Sequence, residues 1–292
     1  MLREPDNKQI GMEFVCIEEL VPKDHLLRKI DRVIEFDFIR DKVKDLYCAD
    51  NGRPAVDPVV LFKMLFLGYL FGVRSERQLV REIQVNVAYR WFIGFGLTDK
   101  IPDASTFSQN RRRRFTESSI YQDIFDEIVL QAMRKRLIRG RVLYTDSTHL
   151  KASANKNKFK KKQIEKATRS YLAALEGSIT ADRKAHGKKP LKAKEQVQKT
   201  REVKSSPIDP DSGYMVRDGK PKGFFYLDHR TTCGKHNLIT DTHVTAANVH
   251  DSIPYLERLD RQRQRFNFPT EAVGLDAGYM SAPICKVLED RN

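Results

Sequence analysis

The hydrophobic pattern of the chain changes near residue 140, and this change constrains the fold more than any other feature. Up to about residue 139, apolar residues recur at helical spacing, as in the segment HLLRKIDRVI that begins at His25. From Arg141 the apolar runs become short and are separated by turn residues, which is typical of strands. The predicted order after residue 140 is strand, insert, strand, strand, helix, strand, helix. We therefore expect a helical domain over residues 1–139 and an α/β domain over residues 140–292.

Basic residues are concentrated in one segment of the α/β domain. Residues 151–205, which we interpret as an insert, contain 17 Lys or Arg against five Asp or Glu, whereas the rest of the chain contains 36 against 34. Such an excess favours binding of a polyanion through counterion release. The alternative is a solvated arm that only keeps the protein soluble. The insert is predicted to be partly helical, around residues 163–178.

Two short apolar runs end on an acidic residue, RVLYTD at Asp146 and AVGLD at Asp276. An Asp at the carboxyl end of a strand projects into the crevice where open α/β sheets bind ligands. Two of them on neighbouring strands could hold Mg²⁺, which prefers carboxylate oxygens. The alternative is that each Asp is a turn residue that accepts hydrogen bonds from nearby backbone amides. The strand order and the charge of the chain favour a metal site with Asp146 and Asp276 as its ligands.

Several segments resemble a known family when they are taken together. LYTDSTHLKASANK, SPIDPDS, HVTAANVHDS and VGLDAGY resemble the signature blocks of insertion-sequence transposases of the DDE type. The segment from NGRPAVDPVV to IPDASTFSQNRRR resembles the InsH-like helical domain that precedes their catalytic core. The resemblance implies an RNase H-like mixed-sheet core with Asp146 and Asp276 as the first two acids of the triad. It also implies Mg²⁺ as cofactor, with Mn²⁺ as an alternative, and cleavage of transposon ends followed by joining to target DNA.

The third acid of the family, a Glu on a late helix, has no match in this sequence. Glu289 follows Asp276 by thirteen residues, and we interpret it as an exposed helix residue. The expected third acid therefore lies beyond Asn292. An alternative function is that of a non-catalytic DNA-binding protein that occupies transposon ends or inhibits the full-length enzyme. A metal nuclease of the same fold is a further alternative.

Double-stranded DNA, both transposon ends and target, is the expected partner, bound by a homo-oligomer. The run Arg111–Arg114 follows STFSQN, which resembles the start of a recognition helix, although a solvated helix face is an equal alternative. The residues predicted to contact DNA phosphates are the four arginines of this run and five lysines of the insert. They are Arg111, Arg112, Arg113, Arg114, Lys151, Lys156, Lys160, Lys161 and Lys162.

Residues after the third predicted strand form a further group of candidates. Asp251 or Ser252 is predicted to cap a helix. His243, Asn248, His250 and Asp251 are predicted to be cap and turn residues. The alternative is that they contact DNA or support the site. Tyr279 is predicted to pack under the site.

The cellular location follows from cysteine spacing and hydrophobicity. The four cysteines form no CxxC pair, which favours a reducing cytosol, and the family implies the bacterial nucleoid. The most apolar window, residues 59–73, is too short to span a bilayer and contains Lys63. No membrane partner is expected.

Overall fold

The computed structural model describes residues 14–48, 55–116, 118–165, 180, 183–189, 200–217 and 219–291. The chain divides into two compact units, residues 1–131 and 132–292. The first is helical and the second contains the sheets, so the chain is α/β with a helical N-terminal part, as predicted. The expected boundary at residues 139/140 stays a prediction.

The N-terminal unit is built from short helices around one apolar core. Its helices are α1 (Ile17–Leu20), α2 (Leu26–Val33), α3 (Phe38–Val43), α4 (Pro58–Leu70), α5 (Glu76–Val85), α6 (Val87–Ile93), α7 (Ala104–Asn110) and the start of α8 (Ile120–Arg134). A 3₁₀ turn (Lys44–Leu46) follows α3, and a π-helical turn (Arg111–Phe115) follows α7. The helices bury a continuous set of aliphatic and aromatic side chains, which is the usual way in which amphipathic helices gain stability.

Helix α4 shows how the sequence specifies this unit. Asp57 precedes the helix and its side chain accepts a hydrogen bond from the backbone N–H of Val59 at 2.8 Å, while Pro58 occupies the first turn. Met64 and Leu67 are fully buried. The apolar window of the sequence is thus a core helix. No helix among the described residues is both long and apolar enough to cross a membrane.

The C-terminal unit contains a five-stranded mixed sheet. Its strands are β1 (Val142–Lys151), β4 (Gly213–Met215), β5 (Gly223–Cys233), β6 (Leu238–Ala246) and β7 (Ala272–Leu275). Strand β5 pairs antiparallel with β1 on one side and with β4 and β6 on the other. Strand β7 pairs with β1 in parallel. Helix α9 (Ser252–Phe266) connects β6 to β7, and α10 (Ala282–Asp290) follows β7.

Strand β1 is longer than the sequence predicted. The predicted strand ended at Asp146, but β5 pairs along β1 as far as Lys151 opposite Phe225. Asp146 therefore lies in the middle of β1, and only Asp276 directly follows the end of its strand. The apolar run had predicted the strand's start, whereas its end is set by pairing with a distant segment.

The basic insert contains a two-stranded ribbon that the sequence did not predict. Strands β2 (Lys160–Glu165) and β3 (Thr200–Ser205) pair antiparallel, with Lys161 opposite Lys204. The prediction of helix is wrong for residues 163–165, because cross-strand pairing overrides the weak local preference for helix. Most of the predicted helix, residues 166–178, lies outside the described residues.

One glycine fixes the entry into β1. Gly140 has φ of +68°, and a Cβ built on it would lie 2.2 Å from a ring carbon of Phe268. Phe268 is buried and packs on Phe266 at the end of α9, with 5.2 Å between ring centroids. Only glycine tolerates both the positive φ and the close ring.

Candidate active site

Asp146 and Asp276 lie side by side on neighbouring strands. The parallel pairing of β1 and β7 ends with Thr145 opposite Leu275, and each aspartate is the next residue in its chain. Both carboxylates are exposed. The structure therefore brings together the two residues that the sequence singled out, at the point where the parallel pairing stops.

Each of these carboxylates also accepts a local backbone hydrogen bond. Asp146 Oδ1 accepts from the N–H of Ser147 at 2.7 Å, and Asp276 Oδ1 accepts from the N–H of Gly278 at 2.9 Å. These are the bonds that the turn-residue alternative predicts, and they occupy one oxygen of each group. Neither carboxylate forms an ion pair with any other described residue. Arg230, opposite Asp146 on β5, instead pairs with Asp228 at 2.6 Å.

A third carboxylate, Asp251, lies next to Asp276 and is buried, with 5% of its surface exposed. A Cβ placed on Gly278 would lie 3.1 Å from Asp276 Oδ1 and 3.4 Å from Asp251 Oδ2, so both groups approach the same point. Asp251 precedes α9, but its side chain makes no capping hydrogen bond. Its Oδ1 is buried without a partner among the described residues, and its Oδ2 lies 3.6 Å from Nη2 of Arg217. Asp251 therefore occupies the N-cap position of α9, one of the two caps that the sequence predicted, but its side chain is not bonded to the helix.

Tyr279 forms the floor beneath the three aspartates and is fully buried. Its hydroxyl lies 3.1 Å from Nδ1 of His229, whose Nε2 lies 2.9 Å from Oγ1 of Thr245. Burial is the main reason why the pKa of Tyr279 is raised, and the negative charge of Asp251 adds to it. Burial likewise lowers the pKa of His229. Both groups are therefore neutral near pH 7, and Tyr279 packs under the site as predicted.

Two of the cations on the loop between β4 and β5 lie near the aspartates. Arg217 faces Asp251, and Lys220 Nζ lies 3.4 Å from Nδ1 of His149 on β1. The pKa of His149 is lowered, first by burial and then by the positive charges of Lys220 and Arg217. The ring is therefore uncharged at neutral pH and leaves the charge of Lys220 uncompensated. Nε2 of His149 is buried and has no partner among the described residues.

The donor chemistry of the pair fits a hard divalent cation. Asp146 and Asp276 offer carboxylate oxygens, which Mg²⁺ and Mn²⁺ accept, and neither is neutralised by a basic side chain. Within the described ranges, no three His, Cys, Asp or Glu side chains lie close enough together to hold a metal ion. Among the described residues, the arrangement therefore offers two adjacent carboxylates and no cluster of three such ligands.

The four arginines of the predicted DNA-binding run have different environments. Arg111 pairs with Glu76 at 2.7 Å, and Arg114 is half-buried with its guanidinium 4.4 Å from the ring centre of Tyr47. Arg112 and Arg113 are exposed and make no hydrogen bond or ion pair with other described residues. The run is thus not one uniform helix face, because consecutive residues of a helix point in different directions.

A groove of about 940 Å³ lies between α5 and α7 in the N-terminal unit. Four of its lining residues are arginines: Arg74, Arg77, Arg81 and Arg111. Its two acids are already engaged, since Glu76 pairs with Arg111 and Asp103 accepts a hydrogen bond from the N–H of Ser105 at 2.8 Å. The groove therefore presents net positive charge.

The lysines predicted in the insert lie on exposed strands and turns. Lys151 ends β1, Lys156 precedes the ribbon, and the other three begin β2. All five are exposed: Lys151, Lys156, Lys160, Lys161 and Lys162. Lys161 pairs with Glu202 at 2.7 Å.

Part of the N-terminal unit is similar to a known protein family. Residues 15–113, about a third of the chain, match the family model described as Transposase domain (DUF772). The predicted resemblance to transposases is therefore confirmed, and the segment that carries it lies in the helical unit. No curated protein matches the chain.

One solved structure is similar at low level. It is the crystal structure of the Mos1 mariner paired end complex with Mn, at 11% sequence identity, covering 94% of this chain and 69% of that chain. Its TM-score is 0.23. A similarity this low carries no argument about the fold or function of this chain.

Sequence reasoning missed the groove arginines and the loop cations. Arg74, Arg77 and Arg81 recur at spacings of three and four, so helical periodicity of positive charge was the signal for them. Arg217 and Lys220 had no such signal, because only the pairing of β1 with β5 brings their loop to the site.

Proposed function

We propose that this chain is a DDE-type DNA transposase that cleaves transposon ends and joins them to target DNA. Residues 1–139 form the DNA-binding domain and residues 140–292 an RNase H-like catalytic domain. One observation carries the proposal: parallel pairing of β1 and β7 sets Asp146 beside Asp276, with neither carboxylate neutralised. The transposase-domain match in the same chain supplies the class of reaction.

The sheet supports the RNase H-like assignment. Three successive strands, β1, β5 and β6, pair antiparallel, and α9 then returns the chain to a fourth strand, β7, that lies parallel to the first. This is the arrangement expected of an RNase H-like core. The insert and β4 are additions between its first and second strands.

Asp146 and Asp276 are the residues that would hold Mg²⁺ or Mn²⁺. The bound ion would activate the attacking oxygen and stabilise the leaving oxygen of a phosphodiester. The chain's own residues set the conditions for this chemistry. The parallel register fixes the spacing of the two carboxylates, and the neutral floor of Tyr279 and His229 adds no charge that would compete for them.

Double-stranded DNA is bound through both units in this proposal. The arginine groove between α5 and α7, together with exposed Arg112 and Arg113, holds phosphates in the N-terminal unit. The exposed lysines of the insert add a contact that does not depend on sequence. A homo-oligomer on DNA follows from the need to hold two transposon ends at once.

The test is cleavage of DNA that carries the flanking sequences of the protein's own gene. Asp146→Asn and Asp276→Asn are expected to abolish Mg²⁺- or Mn²⁺-dependent cleavage and to weaken Mn²⁺ binding in calorimetric titrations. Glu289→Gln is the matched control, since Glu289 is an exposed carboxylate on α10. Cleavage that survives Asp146→Asn would contradict the proposal.

A second function is favoured by one observation, the lack of a three-group metal cluster among the described residues. In this alternative the chain binds DNA without cutting it. It would then occupy transposon ends or inhibit an active transposase. DNA binding without cleavage in either metal, and without Mn²⁺ binding, would establish it.

A further inference from the structure

The loop between β4 and β5 brings two cations to the carboxylate site. Nη2 of Arg217 lies 3.6 Å from Oδ2 of Asp251, which shares the space above Gly278 with Asp276. Nζ of Lys220 lies 3.4 Å from the His149 ring, on the strand that carries Asp146. Arg217 and Lys220 are therefore held by residues that belong to the surroundings of the aspartates.

Neither cation is fully satisfied by its protein partner. The distance between Arg217 and Asp251 exceeds that of a hydrogen bond, and the Arg217 side chain is 35% exposed. Lys220 is exposed and faces an uncharged imidazole. Both side chains thus keep N–H donors for an anionic ligand. Phosphate oxygens form strong, charge-assisted hydrogen bonds with such donors.

Asp251 has the features of a residue that positions another one. It is buried at the start of α9, yet its side chain caps nothing, and one of its oxygens has no partner among the described residues. A buried carboxylate with so little compensation lowers stability. Its charge is directed at Arg217 across the edge of the site.

We infer that Arg217 and Lys220 form a clamp for the phosphodiester backbone of DNA beside Asp146 and Asp276, and that Asp251 positions Arg217 in it. The clamp holds the strand next to the phosphate that is cut. This inference rests on the proposed function, which supplies DNA as the ligand. It adds binding residues outside the carboxylate pair and outside the predicted basic segments.

The experiment measures binding of the full chain to a short fluorescent duplex in EDTA, over a series of salt concentrations. Arg217→Ala and Lys220→Ala are each expected to weaken binding about five- to tenfold at 0.1 M salt and to reduce the slope of log K against log salt by about 0.9. Lys222→Ala is the matched control, because Lys222 is an exposed lysine of the same loop whose side chain makes no hydrogen bond or ion pair with other described residues. Unchanged slopes for Arg217→Ala and Lys220→Ala, or an equal loss in Lys222→Ala, would overturn the clamp.

Asp251→Asn tests the positioning role, because binding to DNA should become weaker if Asp251 positions Arg217 and stronger if Asp251 only contributes negative charge. Removal of a negative charge near DNA would by itself strengthen binding to a polyanion. If Asp251 positions Arg217, the variant instead binds at least about twofold more weakly, and Arg217→Ala with Asp251→Asn is no worse than Arg217→Ala alone. Stronger binding by Asp251→Asn would refute the positioning role.

The experiments distinguish failure of the clamp from failure of the proposed catalytic function. Binding in EDTA does not require the metal or the cleavage step, so the clamp can be seen even if Asp146→Asn leaves cleavage intact. Conversely, loss of cleavage in Asp146→Asn together with unchanged binding in Arg217→Ala would keep the transposase and remove the clamp.

Discussion

Two buried aspartates, Asp241 on β6 and Asp251 directly before α9, differ in how well their negative charge is compensated. Asp241 on β6 accepts from Nε of Arg258 on α9 at 2.8 Å and from Nη2 of the same guanidinium, which also donates to the carbonyl of Thr242. Asp251, just before α9, has only Arg217 at 3.6 Å and leaves Oδ1 without a described partner. Both side chains are 7% exposed.

We interpret this difference as that between a structural carboxylate, Asp241, and a functional one, Asp251. A buried charge lowers stability unless a partner with good geometry compensates its loss of hydration. Asp241 has such a partner and joins β6 to α9. Asp251 lacks one, and its position at the N-terminus of α9 compensates a negative charge only in part. Sites that break such a packing rule are where function is expected.

The largest expected effect is on stability, and it distinguishes the two aspartates directly. Asp241→Asn leaves Arg258 buried without its counter-charge, so we expect a loss of about 3–5 kcal/mol in the free energy of unfolding. Asp251→Asn removes a poorly compensated charge, and the expected change is within about 1 kcal/mol. Urea unfolding followed by circular dichroism measures both. Equal destabilisation by the two variants would show that Asp251 is structural after all.

A smaller effect should follow from filling the space that Asp251 and Asp276 share. Gly278→Ala places a methyl group 3.1 Å from Asp276 Oδ1, and the backbone at this position is not left-handed, so the carboxylates must shift by tenths of an ångström. Small errors in position are costly in catalysis, and we expect cleavage to fall about tenfold, which is about 1.4 kcal/mol.

The control for this variant is Gly68→Ala in the N-terminal unit, where the new Cβ would lie 3.3 Å from Leu79 Cδ2. It makes a similarly close contact far along the chain from the carboxylates and should leave the cleavage rate unchanged. If Gly278→Ala cleaves at the normal rate, the spacing of Asp251 and Asp276 does not matter to the reaction.

The pH dependence of stability tests whether His229 and His243 are held in their neutral form in the folded protein. Burial is the main cause of the lowered pKa of His229, which Asp251 partly opposes, and of His243, which Arg258 lowers further. A histidine whose folded pKa lies below its unfolded value binds a proton more readily when unfolded. Its contribution is therefore complete above about pH 6.5 and is lost as pH falls, by up to about 1.4 kcal/mol per pH unit for each group.

The measurement is the free energy of unfolding between pH 7 and about 5.5. His229→Gln and His243→Gln should each flatten the decline, because glutamine does not titrate. A slope that neither variant changes would mean that these rings are not buried in their neutral form.

Much of the architecture could be predicted because it depends on local pattern. Asp57 followed by Pro58 and a run of apolar residues identified α4, and the apolar run at Ala272 identified β7. The end of β1 could not be predicted, because it depends on pairing with β5, about eighty residues away in the chain. The ribbon of β2 and β3 was missed for the same reason, since neither strand shows a continuous apolar face in the sequence.

The candidate site was predictable only in part. Asp146 and Asp276 follow apolar runs, so their position could be read from the sequence together with the resemblance. Asp251 reads as a helix cap in sequence, and its lack of a capping bond is visible only in three dimensions. Arg217 and Lys220 reach the site through long-range pairing of their flanking strands, which no local pattern encodes.

The smallest expected effect concerns two exposed lysines of the insert, one with a compensated charge and one with an uncompensated charge. Lys161 pairs with Glu202 at 2.7 Å, whereas Lys162 makes no ion pair with the described residues. Both lysines are at the surface, so each Lys→Ala should change stability by less than about 1 kcal/mol. Their effects on DNA binding should differ, because only an uncompensated lysine releases a counterion when it meets a phosphate. We expect Lys162→Ala to reduce the salt slope by about 0.9 and Lys161→Ala to reduce it by less. Glu202→Gln should then raise the affinity by freeing Lys161, and a neutral result for all three variants would show that the ribbon does not contact DNA.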